Sequence, residues 1–220
     1  MKIMDKTVSI AIVGGTGSLG TGVARRLARP DVKVIIGSRD AERARKAAQE
    51  LNQMIGAELV EGKLNEQAAR EADMVLIAVP YEGHSQMIAD LGPVLKGKLI
   101  IDAVVPLNKG KPFVPPAGSA LQEAQQILGS DTPVVGALHN ISAVDLQNPD
   151  APLGDVLVCG DGNPAKEQVI DLLKRIGARA FDAGPSGNAY VIEGLTGVLI
   201  ALNRKYKSKH ATIKITGIGE

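Results

Sequence analysis

Three glycines near the N-terminus are spaced for contact with phosphate. Gly15, Gly17 and Gly20 follow the apolar run VSIAIV and precede an amphipathic stretch, in the pattern G-x-G-x-x-G. Between a strand and a helix, the first glycine permits a tight turn, the second lets the backbone approach a pyrophosphate, and the third lets the helix pack closely on the strand. The helix then presents its free N–H groups and positive dipole end to the anion. The spacing predicts a dinucleotide site, although such turns also occur without a ligand.

A second glycine spacing is typical of the short-chain reductases. Gly14, Gly17 and Gly20 satisfy G-x-x-G-x-x-G, and enzymes of that class carry a catalytic Tyr four residues before a Lys. The residues four positions after the three tyrosines of this chain are instead Ser85, Gly194 and His210. The sequence therefore argues against the short-chain class.

The end of the second apolar run indicates which nucleotide is bound. An NAD site usually has Asp or Glu about 20 residues beyond the glycines to accept hydrogen bonds from the ribose, whereas NADP brings a phosphate to that place. Ser38 and Arg39 occupy the position, and Arg43 follows one helical turn later. These side chains can hold a phosphate, so they predict NADP(H). The alternative for Arg43 is that it belongs to a solvated helix face with Arg45 and Lys46.

The elements that must position these residues alternate along the chain. Short apolar runs predict strands at 8–13, 32–36, 74–79, 99–102, 134–137, 156–159 and 178–182. Helical patterns lie at 19–28, 41–55, 66–71, 83–91, 117–128, 164–176 and 188–202. Asn163 before Pro164 predicts a helix cap, and Gly177 predicts the turn that ends that helix. We expect an α/β fold, a Rossmann-type doubly wound, mostly parallel sheet with a small C-terminal α/β extension.

The irregular, Asn- and Pro-rich stretch at 140–155 sets the predicted domain boundary. Residues 1–150 are expected to form an NADP-binding Rossmann domain, and residues 151–220 a small C-terminal part.

Composition excludes several other classes. The 220 residues are 45% hydrophobic and 22% charged with a net charge of +1, which argues against disorder and against a nucleic-acid partner. The single cysteine, Cys159, suits a reducing compartment and is expected to be an inert strand residue. The first apolar run is too short for a signal peptide, and no run approaches the roughly 20 residues of a membrane span. We expect a cytoplasmic protein with no membrane partner.

Six segments together carry a resemblance to a known family. They are IVGGTGSLGTGVARRLA, IGSRDAERA, VLIAVPYEGH, GALHNISA, VCGDGNPAKEQVIDLL and DAGPSGNAYVIEGLTGVLIALNR. In content and order they resemble the NADPH-dependent reductases of the 8-hydroxy-5-deazaflavin called coenzyme F420. The resemblance implies NADP contacts at Thr16, Gly17, Ser18 and Leu19, at Ser38, Arg39 and Arg43, and at Val79, Pro80 and Ala137. It further implies that the deazaflavin ring packs near His139 and Ile141.

The chemistry that this family performs requires little from side chains. Hydride would pass directly between nicotinamide carbon 4 and deazaflavin carbon 5, so the protein's main task is to stack two rings. His139 can donate to the negative charge that reduction leaves on the deazaflavin. The alternative is a structural loop histidine. His84 is expected to cap a helix and His210 to lie on the surface. Two phenylalanines, three tyrosines and no tryptophan provide no aromatic platform for the ring.

Two further functions remain open, as does the assembly. The chain could be a non-catalytic NADP-sensing regulator or an NADP-dependent reductase of another small acceptor. The apolar segment VIEGLTGVLIALN predicts a homodimer, unless that helix is simply core. The basic cluster of Arg204, Lys205, Lys207 and Lys209 either binds the anionic tail of the deazaflavin or only opposes a helix dipole.

Overall fold

The computed structural model describes residues 8–218, which contain ten strands and eight α-helices. The strands are β1 (Val8–Val13), β2 (Val32–Ser38), β3 (Val60–Leu64), β4 (Met74–Ile77), β5 (Leu99–Asp102), β6 (Leu107–Asn108), β7 (Lys111–Pro112), β8 (Val134–Gly136), β9 (Val156–Val158) and β10 (Ala180–Asp182). The helices are α1 (Ser18–Leu27), α2 (Ala41–Ile55), α3 (Asn65–Glu71), α4 (His84–Leu95), α5 (Ala120–Leu128), α6 (Ala143–Gln147), α7 (Asn163–Arg175) and α8 (Ala189–Lys205).

Six of the strands form one parallel sheet in the order β3-β2-β1-β4-β5-β8. Strands β9 and β10 form a separate two-stranded parallel sheet, and β6 and β7 form an antiparallel hairpin. The predicted Rossmann-type fold is therefore confirmed. Because the large sheet is parallel, all its strands end at the same edge, where ligands of open α/β sheets bind.

The apolar core lies on both faces of the large sheet. Ile10 and Ile12 of β1 face α1, α2 and α7, whereas Ala11 and Val13 face α3, α4, α5 and α8. A strand covered on both faces needs apolar residues at every position, which is why β1 is a continuous apolar run. This packing fixes the ends of the strands and the turns that follow them.

The sequence missed four elements, namely β3, β6, β7 and α6. Strand β3 is the edge of the sheet and reads VEGKL, with Glu61 exposed, so it shows no apolar run. The β6–β7 hairpin pairs only two residues on each side. Helix α6 falls in the stretch expected to be irregular, where Ser142 caps it by accepting a hydrogen bond from the N–H of Asp145 at 3.1 Å.

Local differences at helix ends have simple causes. Gly162, and not Asn163, is the residue that precedes α7, so the predicted asparagine cap is wrong. Gly177, after the end of α7, has φ +81°, as the predicted turn requires. Helix α5 begins only at Ala120, because Ser119 accepts a hydrogen bond from the N–H of Gln122 and caps it.

Arg26 on α1 ties the stretch around α6 to the Rossmann part. Its guanidinium donates to the carbonyl oxygens of Asp145 at 2.8 Å, Leu146 at 3.1 Å and Ala151 at 2.8 Å, and also to Ile176 at 3.0 Å. The residues before β9 are thus held by hydrogen bonds to α1. Within 8–218, no helix combines the length and apolar character that a membrane crossing requires.

Candidate functional site

The glycine turn joins β1 to α1 with no room for side chains at three positions. Gly14 has φ +72°, and a Cβ atom there would lie 2.5 Å from Cγ1 of Val79. A Cβ atom on Gly15 would lie 2.5 Å from the carbonyl oxygen of Ile12, and one on Gly20 would lie 2.6 Å from Cα of Gly15. Gly15 and Gly20 therefore let the helix pack against the turn, as predicted.

Gly17 differs from its neighbours because it is exposed and its surroundings are open. The nearest atom to a Cβ built there is 3.8 Å away, so packing against the protein does not explain the glycine. Gly17 precedes α1 without a capping side chain, and the first turn of α1 carries no acidic residue. The N–H groups of Ser18, Leu19 and Gly20 have no acceptor within the helix, so this end of α1 is suited to a phosphate.

Helix α6 braces that end of α1. The side-chain amide of Gln147 donates to the carbonyl oxygen of Ser18 and to Oγ1 of Thr21, both at 2.7 Å. A Cβ atom on Gly22 would lie 2.7 Å from Cβ of Leu146, so the two helices are in close contact. The missed helix thus fixes the predicted phosphate-binding turn.

Two exposed arginines lie just beyond β2, Arg39 directly after the strand and Arg43 in the first turn of α2. Ser38 is buried and accepts a hydrogen bond from the N–H of Asp40 at 3.2 Å, while the Asp40 carboxylate caps α2 through the N–H groups of Glu42 and Arg43. Arg39 and Arg43 are exposed, and neither forms an ion pair with another residue of 8–218. The Asp40 carboxylate is bound to the N-terminus of α2, and the two arginines keep their guanidinium groups available for a phosphate.

A cleft of about 480 Å³ opens at the carboxyl edge of the sheet. It brings together five of the predicted site residues, namely Leu19, Val79, Pro80, His139 and Ile141. Ser38, Arg39 and Arg43 lie outside this cleft. Ala137 is wholly buried, and its N–H donates to the carbonyl oxygen of Asp102 at 3.0 Å, so its side chain is not accessible to a ligand.

A smaller cavity of about 240 Å³ shares His139, Ile141 and Thr196 with the cleft. Ser208 and Lys209, which follow α8, line its other side. The chain after α8 is held there by hydrogen bonds, since Oγ of Ser142 donates to the carbonyl oxygen of Lys209 at 3.0 Å. The C-terminal residues therefore reach the predicted site.

His139 is 5% exposed, and neither of its ring nitrogens has a hydrogen-bond partner among the described residues. Burial lowers the pKa of His139 to about 4, against the opposing effect of the Asp102 charge. The ring is therefore neutral near pH 7 and carries one N–H. The backbone carbonyl of His139 accepts a 2.8 Å hydrogen bond from Thr196, which fixes this residue to α8.

A buried polar cluster behind the cleft was not predicted. His84 does not cap its helix by a side-chain bond but is wholly buried, with Nε2 2.8 Å from Oδ2 of Asp102. Glu193 on α8 accepts hydrogen bonds from the N–H groups of Ala120 and Leu121, and burial raises its pKa to about 7 despite those bonds. The only sequence signals were single acidic residues inside the apolar runs LIID and VIEGLTGVLIALN.

The two remaining expectations about single residues agree with the structure. Cys159 is buried at the end of β9, and burial raises the pKa of its thiol to about 12, so the thiol stays protonated. His210 is exposed, with Nδ1 close to Oδ1 of Asp145.

The chain is similar to known proteins over most of its length. Residues 9–106 match the family model described as NADP oxidoreductase, coenzyme F420-dependent. The F420-dependent NADP reductase of Methanocaldococcus jannaschii is 40% identical over 96% of this chain and 99% of its own length. The F420-dependent NADP reductase of Methanothermobacter marburgensis is 38% identical over 97% of this chain and 100% of its own length.

The similarity to a solved structure extends to the fold. The crystal structure of a putative F420-dependent NADP reductase from Arthrobacter sp. FB24 has a TM-score of 0.79, with 26% identity over 94% of this chain and 98% of that chain. The matched lengths are nearly equal, so the similarity covers the C-terminal part as well as the nucleotide-binding part. The chain belongs to the family of coenzyme F420-dependent NADP oxidoreductases.

Proposed function

We propose that this protein catalyses reversible hydride transfer between NADPH and coenzyme F420. The cleft at the carboxyl edge of the sheet carries the proposal, because Leu19 of the phosphate-binding helix and His139 with Ile141 line the same space. A cavity of this size falls in the range of small-molecule sites, roughly 300–1,000 Å³. The relatives named as F420-dependent NADP reductases support the choice of substrates.

Residues of this chain can bind both charged groups of the nucleotide, the pyrophosphate and the 2′-phosphate. The open space at Gly17 and the uncapped first turn of α1 suit the pyrophosphate. Arg39 and Arg43 would contact the 2′-phosphate, with Ser38 beneath them, since charge-assisted hydrogen bonds are the strong ones for such a group. Leu19, Val79 and Pro80 would then line the nicotinamide side of the cleft.

His139 and Ile141 fit the deazaflavin side. The two unpartnered ring nitrogens of His139 are the kind of buried polar atoms that a ligand satisfies. NADPH supplies a hydride from carbon 4, and the protein orients both rings while its apolar walls limit water. We assign to the neutral His139 the donation of one N–H hydrogen bond to the polar edge of the deazaflavin, which would stabilise charge that develops there.

The C-terminal part, residues 151–220, would complete the deazaflavin site. Thr196 on α8 lines both cavities, and Lys209 lines the smaller one. Both belong to the region expected from sequence to be separate from the Rossmann domain. Under this proposal the boundary near residue 150 separates a nucleotide-binding part from a part that contacts the second substrate.

We further propose that the protein is a cytoplasmic homodimer that pairs through α8. The exposed residues Val191, Val198 and Leu202, with the half-buried Gly194 between them, recur on this helix at helical spacing and form an apolar stripe. Replacing Val198 by Glu would place a charge in the middle of the stripe and should convert a dimer to a monomer in sedimentation analysis. A wild-type protein that sediments as a monomer at micromolar concentration would contradict the dimer.

Absorbance spectroscopy tests the proposed activity. Addition of NADPH to protein and coenzyme F420 should bleach the long-wavelength band of the deazaflavin in step with nucleotide oxidation. A reductase of another small acceptor would oxidise NADPH only with that acceptor. A non-catalytic NADP sensor would bind NADPH, with no bleaching.

A further inference from the structure

The interior of the protein behind the cleft contains a histidine with carboxylates on both sides. His84, the first residue of α4, is wholly buried, with Nε2 2.8 Å from Oδ2 of Asp102 and Nδ1 3.6 Å from Oε2 of Glu123. A neutral imidazole has one N–H and can serve only one of them, whereas an imidazolium faces both with a donor. The geometry therefore favours the charged form.

The partners of His84 outweigh its burial. Burial alone lowers the pKa of His84, but the hydrogen bond and charge of Asp102, followed by the nearby charge of Glu123, raise it above its ordinary value of 6.5. Four titratable groups surround the imidazole: Asp102 on β5, Glu123 on α5, Tyr81 in the turn before α4, and Glu193 on α8. Three of them are carboxylic acids, so loss of the His84 proton would leave negative charge in the interior with no ion-pair partner among residues 8–218.

Asp102 connects His84 to one wall of the cleft. Its second oxygen, Oδ1, accepts a hydrogen bond from the N–H of Val104 at 2.9 Å, so the carboxylate holds the turn that follows β5. Ala103 and Val105 in that turn line the cleft. The position of this wall therefore depends on the Asp102 carboxylate, whose other oxygen is held by His84.

Tyr81, which follows β4, connects His84 to a second part of the cleft wall. Its ring stacks on the imidazole with centroids 6.2 Å apart, and it meets the edge of Phe113 beside the β6–β7 hairpin at 5.3 Å. Burial and the nearby charge of Glu123 raise the pKa of Tyr81 to about 12, so its hydroxyl stays protonated. Tyr81 itself lines the cleft.

We propose that His84 is a positioning residue that holds two parts of the cleft lining, Tyr81 through the stacking of the two rings and the turn after β5 through Asp102. The role in turnover rests on the proposed hydride transfer, because these walls enclose the space in which the two rings must stack. Below pH 6.5 the imidazolium presents an N–H and its positive charge to both carboxylates. As the pH rises through the raised pKa of the folded protein, the ring loses its charge and one of its two N–H donors, so its hold on the carboxylates weakens. The walls should loosen over that range.

Nuclear magnetic resonance can follow His84 directly, since the chain has only three histidines. With labelled histidine and tyrosine, the Cε1 signal of His84 should titrate with a midpoint above 6.5. The ring signals of Tyr81 and the methyl signals of Val105 should shift with the same midpoint. Asp102→Asn should lower the His84 midpoint, and His84→Gln should abolish the pH-dependent shifts at both walls.

Steady-state kinetics over the same range separates positioning from simple stability. The value of kcat/KM for coenzyme F420 should fall about ten- to a hundredfold in His84→Gln, the scale of a misplacement near 1 Å. Asp155→Asn is the matched control, because Asp155 is a buried carboxylate that binds Arg179 and lines neither the cleft nor the smaller cavity. The control should lose stability and keep the kinetic constants and pH profile of the wild type.

Two results would overturn the positioning role. One is a His84 signal that titrates at or below pH 6.5, or that titrates without movement of Tyr81 and Val105. The other is a His84→Gln variant that matches Asp155→Asn in its kinetics. A wild-type protein that fails to reduce coenzyme F420 would reject the proposed function instead, and the wild-type resonance titration would still decide the role of His84.

Discussion

Oγ1 of Thr196 donates a 2.8 Å hydrogen bond to the backbone carbonyl of His139. The two residues are 57 positions apart, and the bond joins α8 of the C-terminal part to the turn after β8. Asn140, the next residue, donates from its side-chain amide to the carbonyl oxygen of Ile192, also on α8, at 2.9 Å. The histidine proposed to face the deazaflavin is therefore positioned by the helix proposed for the dimer.

Replacement of Thr196 by Val should release this carbonyl. A single neutral hydrogen bond contributes about 0.5–1.5 kcal/mol, so kcat/KM for coenzyme F420 should fall up to about tenfold, with NADPH affinity nearly unchanged. Thr132→Val is the control, because Thr132 is buried and accepts a hydrogen bond from the N–H of Gly97. Equal kinetic losses in both variants would show that the effect of Thr196 is general destabilisation.

Arg39 should give the protein its preference for NADPH over NADH. Arg39→Ala removes a partner of the 2′-phosphate only, so NADPH should bind about ten- to a hundredfold more weakly while NADH is nearly unaffected. Arg43→Ala should act in the same direction but less strongly. Arg45→Ala, on the same helix but paired with Glu42, should leave both affinities unchanged. Equal losses for both nucleotides in Arg39→Ala would reject the assignment.

His139 should act without changing its charge. Because burial lowers its pKa to about 4, the ring stays neutral at working pH, and its own titration should produce no acidic limb in kcat between pH 5 and 8. His139→Ala removes a hydrogen-bond donor and should slow turnover by roughly ten- to a thousandfold, with little change in NADPH affinity. Unchanged turnover would make His139 structural, and complete loss with an intact fold would mean that proton transfer is essential.

The same pKa has a consequence for stability. The folded protein binds the His139 proton less tightly than the unfolded chain, so the free energy of unfolding should fall as the pH drops from about 6.5 toward 4. His139→Ala should make this slope shallower in urea unfolding measured across that range. A slope identical to that of the wild type would contradict a neutral, buried His139.

The basic residues after α8 should attract the anionic tail of coenzyme F420. Lys209 lines the smaller cavity, and Arg204 lies beside the β6–β7 hairpin at Gly110. Replacing Lys205, Lys207 and Lys209 together by Gln should raise KM for coenzyme F420 several-fold at low salt. The effect should vanish near 0.5 M salt, where charges are screened beyond about 4 Å. A KM that does not change at low ionic strength would leave the cluster as a helix cap.

The parts of the site that are built from residues close together in sequence were predictable from local patterns. The glycine spacing from Gly15 to Gly20 fixes a strand, a turn and a helix within a few residues, so the prediction of an α/β nucleotide fold was confirmed. The buried runs at β1, β2 and β5 were found because both faces of a parallel strand are apolar. Strand β3 shows no such pattern, since Val60 is its one buried residue.

Contacts between distant residues were not predictable from the sequence. His84 and Asp102 are 18 residues apart and meet only because α4 packs on the sheet beside β5. Helix α6 is five residues long and depends on the Ser142 cap and on Arg26, which is about 120 residues away. Neither feature has a local periodicity. An acidic residue within an apolar run, such as Asp102, was the one available sign of a buried partner.

Transfer of an isotopic label tests the proposed reaction most directly. NADPH deuterated at carbon 4, prepared separately as each of its two stereoisomers, would be mixed with the protein and oxidised coenzyme F420 in ordinary water. Direct hydride transfer predicts that one of the two isomers delivers its deuterium to carbon 5 of the reduced deazaflavin, as read by mass spectrometry. Reduced coenzyme without deuterium from either isomer, or oxidation of NADPH with no reduced coenzyme, would contradict the account.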